Sequence, residues 1–156
     1  MIRPTTADDV PVLIELARET GVFKSREIDT LREVLDAYLA KPGGDGYFCA
    51  TCEQDGRVLG FTIYGPNPMT DRTWDLYWIA VTRPAQGGGI GTELLRFVED
   101  DIRSRGGRLL LIETSSLPHY GPTRRFYLKH GYEQAATVAD FYADGDALVI
   151  FRKRLR

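Results

Sequence analysis

The feature that most constrains the fold is a run of glycines at Gln86-Gly87-Gly88-Gly89-Ile90-Gly91. An aromatic and β-branched segment, Thr73 to Val81, precedes the run, and apolar residues at helical spacing follow it, at Leu94, Leu95, Val98 and Ile102. The glycines therefore join a strand to a helix. Glycine permits positive φ and close approach of a ligand, and the first N–H groups of a helix favour an anion. The sequence predicts a phosphate cradle at this junction.

The residues that follow the glycines narrow the kind of phosphate site. A nucleoside-triphosphate loop carries Gly-Lys-Ser/Thr, whereas Gly91 is followed by Thr92-Glu93. A dinucleotide-binding G-x-G-x-x-G would need a glycine at position 92 or 94, where the chain has Thr92 and Leu94. Neither common nucleotide motif fits. A flexible loop whose glycines only shape a turn remains the alternative.

The predicted elements follow the order β-α-α-β-β-β-α-β-α-β-β, which is typical of an α/β protein with a mixed sheet. Asp55-Gly56 between two runs of β-forming residues indicates an antiparallel hairpin. Leu109 to Glu113 is an apolar run with one terminal acid, as in a central strand covered on both faces. The predicted helices are Asp8 to Gly21, Glu27 to Leu39, one after Gly91, and Thr123 to His130; the predicted strands are Tyr47 to Glu53, Val58 to Tyr64, Thr73 to Val81, Leu109 to Glu113, Tyr132 to Ala139 and Ala147 to Lys153.

Length and composition indicate one ordinary globular unit. For 156 residues we expect a single domain over 1–156. The formal net charge of −2, from 20 Lys+Arg and 22 Asp+Glu, argues against a nucleic-acid partner. No apolar run approaches the ~20 residues of a membrane span, and the N-terminal residues lack a signal-peptide core. Two cysteines are too few for a secreted disulfide scaffold, so we expect a cytoplasmic protein without membrane partners.

The two cysteines form a C-x-x-C pattern, Cys49-Ala50-Thr51-Cys52, inside a predicted strand. A zinc site would need further ligands, and a redox pair would lie at a strand-to-helix turn. Side chains three residues apart on a strand point to opposite faces. We therefore expect two packing residues and no metal.

Two motifs resemble the signatures of the GCN5-related N-acetyltransferase (GNAT) family. Gln86 to Gly91 is similar to Q/R-x-x-G-x-G/A, and Thr123-Arg124-Arg125-Phe126-Tyr127-Leu128-Lys129-His130-Gly131-Tyr132 resembles A-x-x-F-Y-x-x-x-G-F. The element order also matches, so the resemblance covers nearly the whole chain. It implies the acyl-CoA N-acyltransferase fold: a mixed, mostly antiparallel central sheet of about six to seven strands with helices on both faces.

The resemblance implies that acetyl-CoA is the acetyl donor and lies where the strand before the glycine loop splays from the strand after it. Its pantetheine arm would pair with the backbone of Ile79, Ala80 and Val81, as an added strand would. The N–H of Ile79 would donate to the thioester oxygen. The pyrophosphate would rest on the loop, whose implied binding residues are Gln86, Gly87, Gly88, Gly89, Ile90, Gly91 and Thr92. Apart from the resemblance, Ile79 to Val81 is equally a plain core strand.

Three catalytic candidates also follow from the resemblance. Tyr127 matches the position that often protonates the departing thiolate; the alternative is an aromatic residue that only packs. Asp75 and Glu113 compete as the general base. Glu113 ranks slightly ahead because it ends a buried strand, where burial raises the pKa of a carboxyl. Either acid could instead lie at a rim and hold only water.

Other residues bear on how substrates are held. Tyr120 stands where many GNAT members carry an asparagine that bonds the pantetheine, so the segment from His119 is expected to hold the donor differently. His119 is a weaker candidate for a base. Phe141 and Tyr142 are candidates for walls of the acceptor pocket.

The implied function is acetyl transfer to a primary amine by direct attack, with a small-molecule amine or a protein N-terminus as acceptor. A pocket lined by acids would favour polyamines or aminoglycosides. A non-catalytic acyl-CoA-binding sensor of the same fold is the main alternative, and a nucleotide-binding regulatory module is disfavoured by the missing lysine and glycine. Homodimers are common among similar proteins, but no residue here indicates one.

Overall fold

A computed structural model describes residues 1–156 and contains one seven-stranded sheet in the order β1-β2-β3-β4-β5-β7-β6. Only the β4–β5 pair is parallel. This mixed, mostly antiparallel sheet confirms the predicted fold class and element order. The strands are β1 (Ile2–Pro4), β2 (Phe48–Gln54), β3 (Arg57–Pro66), β4 (Thr73–Val81), β5 (Leu109–Ser115), β6 (Glu133–Ala143) and β7 (Asp146–Arg154), and the helices are α1 (Val10–Thr20), α2 (Ser25–Ala40), α3 (Ile90–Ser104) and α4 (Gly121–Lys129).

The element boundaries differ from the predicted ones mainly at the last helix and the last hairpin. α4 begins at Gly121 rather than Thr123, and Pro122 lies in its first turn, where a missing N–H costs nothing. β6 continues to Ala143 rather than ending at Ala139, so Phe141 and Tyr142 belong to a strand. β6 is an edge strand exposed along its whole length, and such a strand lacks the alternation that marks a half-buried one.

Helices cover both faces of the sheet and create two cores. α1 and α2 pack on one face, where Leu13, Leu31, Phe61 and Ile63 are fully buried or nearly so. α3 and α4 pack on the other face, around residues that include Leu95, Val98, Ile102, Leu110, Tyr127 and Phe151. Each such aliphatic side chain contributes about 1.5–3 kcal/mol by leaving water, so the sheet is held between two apolar layers.

Cys49 and Cys52 lie on opposite faces of β2, as their spacing predicts. Cys49 belongs to the core under α1 and α2, and Cys52 packs with Ile90 and Leu94 of α3. Both thiols are free, and burial raises the pKa of Cys49 to about 12, which keeps it protonated. No group of three or more His, Cys, Asp or Glu side chains is placed to hold a metal ion. None of the helices has the length and apolar character needed to cross a membrane.

Candidate functional site

β4 and β5 pair only along their first halves and then separate. Thr73–Leu76 pairs with Leu109–Ile112, and beyond this the end of β4 has a partner only in β3. The gap opens a cavity of about 880 Å³, here named the glycine-loop cavity. Its lining comes from the end of β4, the loop before α3, the segment after β5 and one side of α4. The predicted splay therefore exists in this fold.

A β-bulge in β4 stands at the point of separation. Ile63 pairs with Trp78 and Tyr64 pairs with Leu76, which leaves Tyr77 as an extra residue on β4. The bulge exchanges the two faces of the strand, since Leu76 belongs to the core under α3 whereas Trp78 packs against the core under α1. Asp75 and Ile79, four residues apart, consequently do not share a face.

The backbone of Ile79 opens toward the glycine-loop cavity. The Thr82 N–H donates to the Leu59 carbonyl at 2.8 Å, and the antiparallel register places Ala80 opposite Phe61. Hydrogen-bonded pairs alternate in such a ladder, so the peptide groups of Ala80 face β3 while those of Ile79 and Val81 face away from it.

The three predicted strand positions therefore differ in what they offer a ligand. Ile79, Ala80 and Val81 all line the cavity. The Val81 carbonyl already accepts a hydrogen bond from Gln86 Nε2 at 3.0 Å, which ties the glycine loop to the strand end. The N–H groups of Ile79 and Val81 both remain available, whereas Ala80 contributes only surface.

The glycine loop presents a row of free N–H groups. Gly87 and Gly89 have φ of 83° and 90°, conformations that strain any residue with a side chain. The N–H groups of Gly87, Gly89, Ile90, Gly91 and Thr92 donate to no atom of the protein. With the positive end of the α3 dipole behind them, these donors have the arrangement that binds anions at helix N-termini.

Two of the predicted loop residues are not part of the cavity lining. The cavity is lined by Gln86, Gly87, Gly89, Gly91 and Thr92, but not by Gly88 or Ile90. The Gly88 N–H donates to the Ala85 carbonyl, and the Ile90 side chain packs with Cys52 and Leu94, so that of the two residues only Ile90 keeps a free N–H. Their parts are to shape the loop and to anchor it.

Basic side chains surround the same cavity. Arg83, Lys129 and His130 line it, while Arg124 donates to the carbonyls of Ser115 and Leu117 and so braces the turn before α4. His130 Nε2 lies 3.1 Å from Thr92 Oγ1, which links the end of α4 to the start of α3. Burial and the neighbouring Lys129 lower the pKa of His130.

Tyr127 is deeply buried but its hydroxyl reaches the cavity. The residue is 3% exposed, and its ring packs against Tyr132 and Phe151 with centroids 5.9 and 5.6 Å away. The hydroxyl has no hydrogen-bond partner in the protein, yet no fully buried polar atom is unsatisfied, so this hydroxyl must open to the cavity that the residue lines. Burial raises the pKa of Tyr127, which keeps the phenol protonated.

A second cavity of about 750 Å³, here named the acidic cavity, adjoins the first near the N-terminus of α2. Four carboxylates line it, from Glu27, Asp75, Glu113 and Asp146. Glu113 borders both cavities, whereas Asp75 borders only the acidic one. The two predicted bases therefore differ in position: Glu113, which is exposed, reaches both cavities, whereas the half-buried Asp75 reaches only the acidic one.

The Asp75 charge acts on Glu113 across the β4–β5 pair. Asp75 is opposite Leu111, and Glu113 is the next residue of β5 on that face. Burial raises the pKa of Glu113, and the Asp75 charge raises it further. Burial also raises the pKa of Asp75, although a hydrogen bond from Asn67 Nδ2 at 3.2 Å opposes the shift.

The connection between α1 and α2 crosses the site, which no motif indicates. The Tyr120 hydroxyl donates to the Val22 carbonyl at 3.1 Å across 98 positions of sequence. Val22 and Phe23 line both cavities, as do His119 and Tyr120. Tyr142 lines the acidic cavity, but Phe141 lines neither and is exposed to solvent.

Comparisons with known proteins agree with this geometry. The model of the acetyltransferase (GNAT) family matches residues 12–132. An uncharacterized N-acetyltransferase of Methanocaldococcus jannaschii is 30% identical over 99% of this chain and 92% of its own. A crystal structure of a GNAT-family protein from Desulfovibrio desulfuricans superposes with a TM-score of 0.96 and 37% identity, covering 100% of this chain and 99% of the other.

A more distant structure is an aminoglycoside 6′-N-acetyltransferase solved with coenzyme A. It superposes with a TM-score of 0.80 at 17% identity, over 100% of this chain and 97% of its own, and so shares the fold. The family model spans most of the chain, and the M. jannaschii relative aligns along nearly all of it. The chain therefore belongs to the GNAT acetyltransferase family.

Proposed function

We propose that this protein transfers the acetyl group of acetyl-CoA to a primary amine. One observation carries the proposal: the free N–H of Ile79 and the free N–H groups of the glycine loop face one cavity at the β4–β5 gap. A pantetheine thioester would hydrogen-bond to the strand, and a pyrophosphate would rest on the loop amides. Arg83 and Lys129 would add positive charge beside the phosphates.

The chemistry is a direct attack of the acceptor amine on the thioester carbonyl carbon. The new C–N bond forms as charge develops on the carbonyl oxygen, and the Ile79 N–H would stabilise that charge. Before this attack, Glu113 or Asp75 would take a proton from the acceptor ammonium, because only the neutral amine has a lone pair that can attack. After it, the C–S bond breaks, the thiolate takes a proton from Tyr127, and the nitrogen of the new amide releases its extra proton, which restores the Tyr127 hydroxyl. The products are the acetylated amine and coenzyme A.

Tyr127 suits the acid role by position rather than by intrinsic acidity. Burial raises its pKa, so the phenol is a weaker acid than in water. The same dry surroundings disfavour a thiolate and raise the pKa of the leaving sulfur, which restores the match between donor and acceptor. A protonated, unpartnered hydroxyl in the cavity is therefore a suitable proton donor.

Glu113 is the stronger candidate for the base because it alone of the two acids borders both cavities. Its pKa is raised, which moves it toward the value at which a carboxylate is an effective base near neutral pH. Asp75 remains the competing base. The acceptor would enter through the acidic cavity, as a small-molecule amine or a protein N-terminus.

A calorimetric titration with acetyl-CoA, with ATP and NADH as controls, tests the donor site. Selective binding of acetyl-CoA is the expected result, and equal binding of ATP would contradict the proposal. Release of free thiol in the presence of amines then separates an enzyme from a non-catalytic acyl-CoA-binding sensor. Binding without turnover over a broad set of amines would favour the sensor.

A further inference from the structure

Arg83 joins the wall of the glycine-loop cavity to α1. It opens the short turn Arg83–Ala85 between β4 and the glycine loop, and it lines the cavity. Its Nη2 donates to the Thr20 carbonyl at 2.9 Å, across 63 positions of sequence. Thr20 is the last residue of α1, where carbonyl groups lack partners within the helix and a cation is favoured. One side chain therefore borders the cavity and holds the end of α1.

The turn that ends α1 leaves room for this contact. Gly21 has a φ of 73°, in the left-handed region that glycine adopts most easily. A Cβ placed on Gly21 would lie 3.1 Å from Arg83 Nη2. The guanidinium therefore packs directly on the turn, and any side chain at position 21 would press against it.

The segment after this turn lies between the two cavities. Residues 21–24, here named the α1–α2 connection, include Val22 and Phe23, which line both cavities. The Tyr120 hydroxyl holds the Val22 carbonyl, and the Phe23 ring packs on Trp78 with centroids 4.7 Å apart. The position of the α1–α2 connection therefore sets the shape of the junction between the glycine-loop cavity and the acidic cavity.

Arg83 keeps hydrogen-bonding capacity for a ligand. A guanidinium carries several N–H donors, and the bond to Thr20 is the hydrogen bond that this side chain makes in the protein. Arg83 takes part in none of the ion pairs. The residue is exposed, so its long side chain loses rotamer freedom when a ligand fixes it. Its remaining donors suit a phosphate, which arginine binds with charge-assisted hydrogen bonds.

We propose that Arg83 is a positioning residue that couples the acetyl-CoA site to the acceptor side. The inference rests on the proposed function. Bound phosphates hold the guanidinium in one rotamer, so its hydrogen bond to Thr20 persists for a larger share of the time. The end of α1 and the α1–α2 connection are then held more firmly at the junction of the cavities. By linkage, acetyl-CoA and an acceptor that contacts the connection raise each other's affinity.

Hydrogen–deuterium exchange tests the coupling with coenzyme A as the probe. The measured quantity is the exchange rate of peptides that cover residues 17–24, with and without saturating coenzyme A. Calorimetry first gives the Kd of coenzyme A for each variant, so that saturation is known. In the parent protein, coenzyme A is expected to slow exchange in this segment at least about fivefold.

Arg83→Gln should remove this effect and leave the two exchange rates within about twofold of each other. A merely structural role would raise both rates equally and leave their ratio unchanged. An unchanged ratio would overturn the inference, because coenzyme A would then act on the α1–α2 connection without Arg83, by direct contact with Val22 or Phe23.

Lys129→Gln is the matched control. Lys129 lies on α4 and lines the same cavity, so this variant also removes a positive charge beside the proposed phosphates. It leaves the contact between Arg83 and Thr20 in place. At saturating coenzyme A it should keep the ratio of the parent protein. Loss of the ratio in both variants would show that cavity charge, rather than the Arg83 contact, controls the segment, and would overturn the inference.

The binding of coenzyme A separates this inference from the proposed function. If coenzyme A binds the parent protein but exchange over residues 17–24 does not slow, the coupling fails and the transferase proposal stands. If coenzyme A does not bind, the proposed function fails and the coupling fails with it.

Discussion

Replacing Tyr127 by phenylalanine separates its role in packing from its proposed role as the proton donor. The substitution removes one hydroxyl that bonds to nothing in the protein and keeps the ring contacts with Tyr132 and Phe151. The free energy of unfolding should therefore change by no more than about 0.5 kcal/mol. Loss of a general acid costs typically 10²–10⁴ in rate, so turnover should fall at least about 100-fold, or about 2.7 kcal/mol of barrier.

Tyr132→Phe is the matched control, because it makes the same chemical change on the ring packed against Tyr127. The Tyr132 hydroxyl donates to Glu99 Oε2 at 2.7 Å, and Glu99 is 5% exposed. Loss of a buried hydrogen bond to a charged group costs about 1.5–3 kcal/mol. Lys153 still contacts Glu99 at 3.0 Å, so we expect about 2 kcal/mol and a Tm lower by about 6 °C. Turnover per folded molecule should not change.

The measurements are denaturant unfolding, steady-state thiol release and the Kd of acetyl-CoA for both variants. The reasoning predicts opposite patterns: Tyr127→Phe loses rate and keeps stability, and Tyr132→Phe loses stability and keeps rate. Acetyl-CoA should bind both variants as it binds the parent. The acid assignment would be refuted if Tyr127→Phe kept its turnover, or if its rate loss followed a loss of folded protein.

Two further predictions concern the anion site and the base. Gly89→Ala should destabilise the fold by about 1–2 kcal/mol, because Gly89 has a positive φ, and should also weaken acetyl-CoA binding. Gly56→Ala in the β2–β3 turn is the control: it too has a positive φ and open space around it, so it should lose stability but keep acetyl-CoA binding. Denaturant unfolding measures the loss of stability, and calorimetry measures the binding. In pH–rate profiles, Glu113→Gln should lose the acidic limb. Asp75→Asn should move that limb to lower pH, because removing the Asp75 charge lowers the pKa of Glu113. A limb that is retained in Glu113→Gln, or that does not move in Asp75→Asn, would argue against Glu113 as the base.

The raised pKa of Glu113 also has a consequence for stability. A carboxyl whose pKa is higher in the folded state than in the unfolded state stabilises the fold below its unfolded pKa and loses this contribution as pH rises through its folded pKa. At neutral pH the ionised Glu113 is therefore a cost to folding. If Glu113 is the base, as proposed, the protein keeps this unpaired carboxylate for its function at a small cost in stability.

Local patterns in the sequence were sufficient for the element order and for one half of the site. The glycine run, its preceding strand and its following helix lie next to each other in the chain, so their junction needed no tertiary information. The hairpin at Asp55-Gly56 and the opposite directions of Cys49 and Cys52 follow from rules of the same short range. The edge strand β6 was predicted too short because neither of its faces is buried.

The other half of the site was decided by contacts between distant residues. The bulge at Tyr77 depends on how β3 pairs with β4, and the proximity of Asp75 to Glu113 depends on the parallel register of β4 and β5. Val22 lies across the cavities because Tyr120, 98 positions away in the sequence, donates a hydrogen bond to its carbonyl. Sequence periodicity specifies which face of an element is apolar, whereas the register between elements is fixed only when all faces pack together.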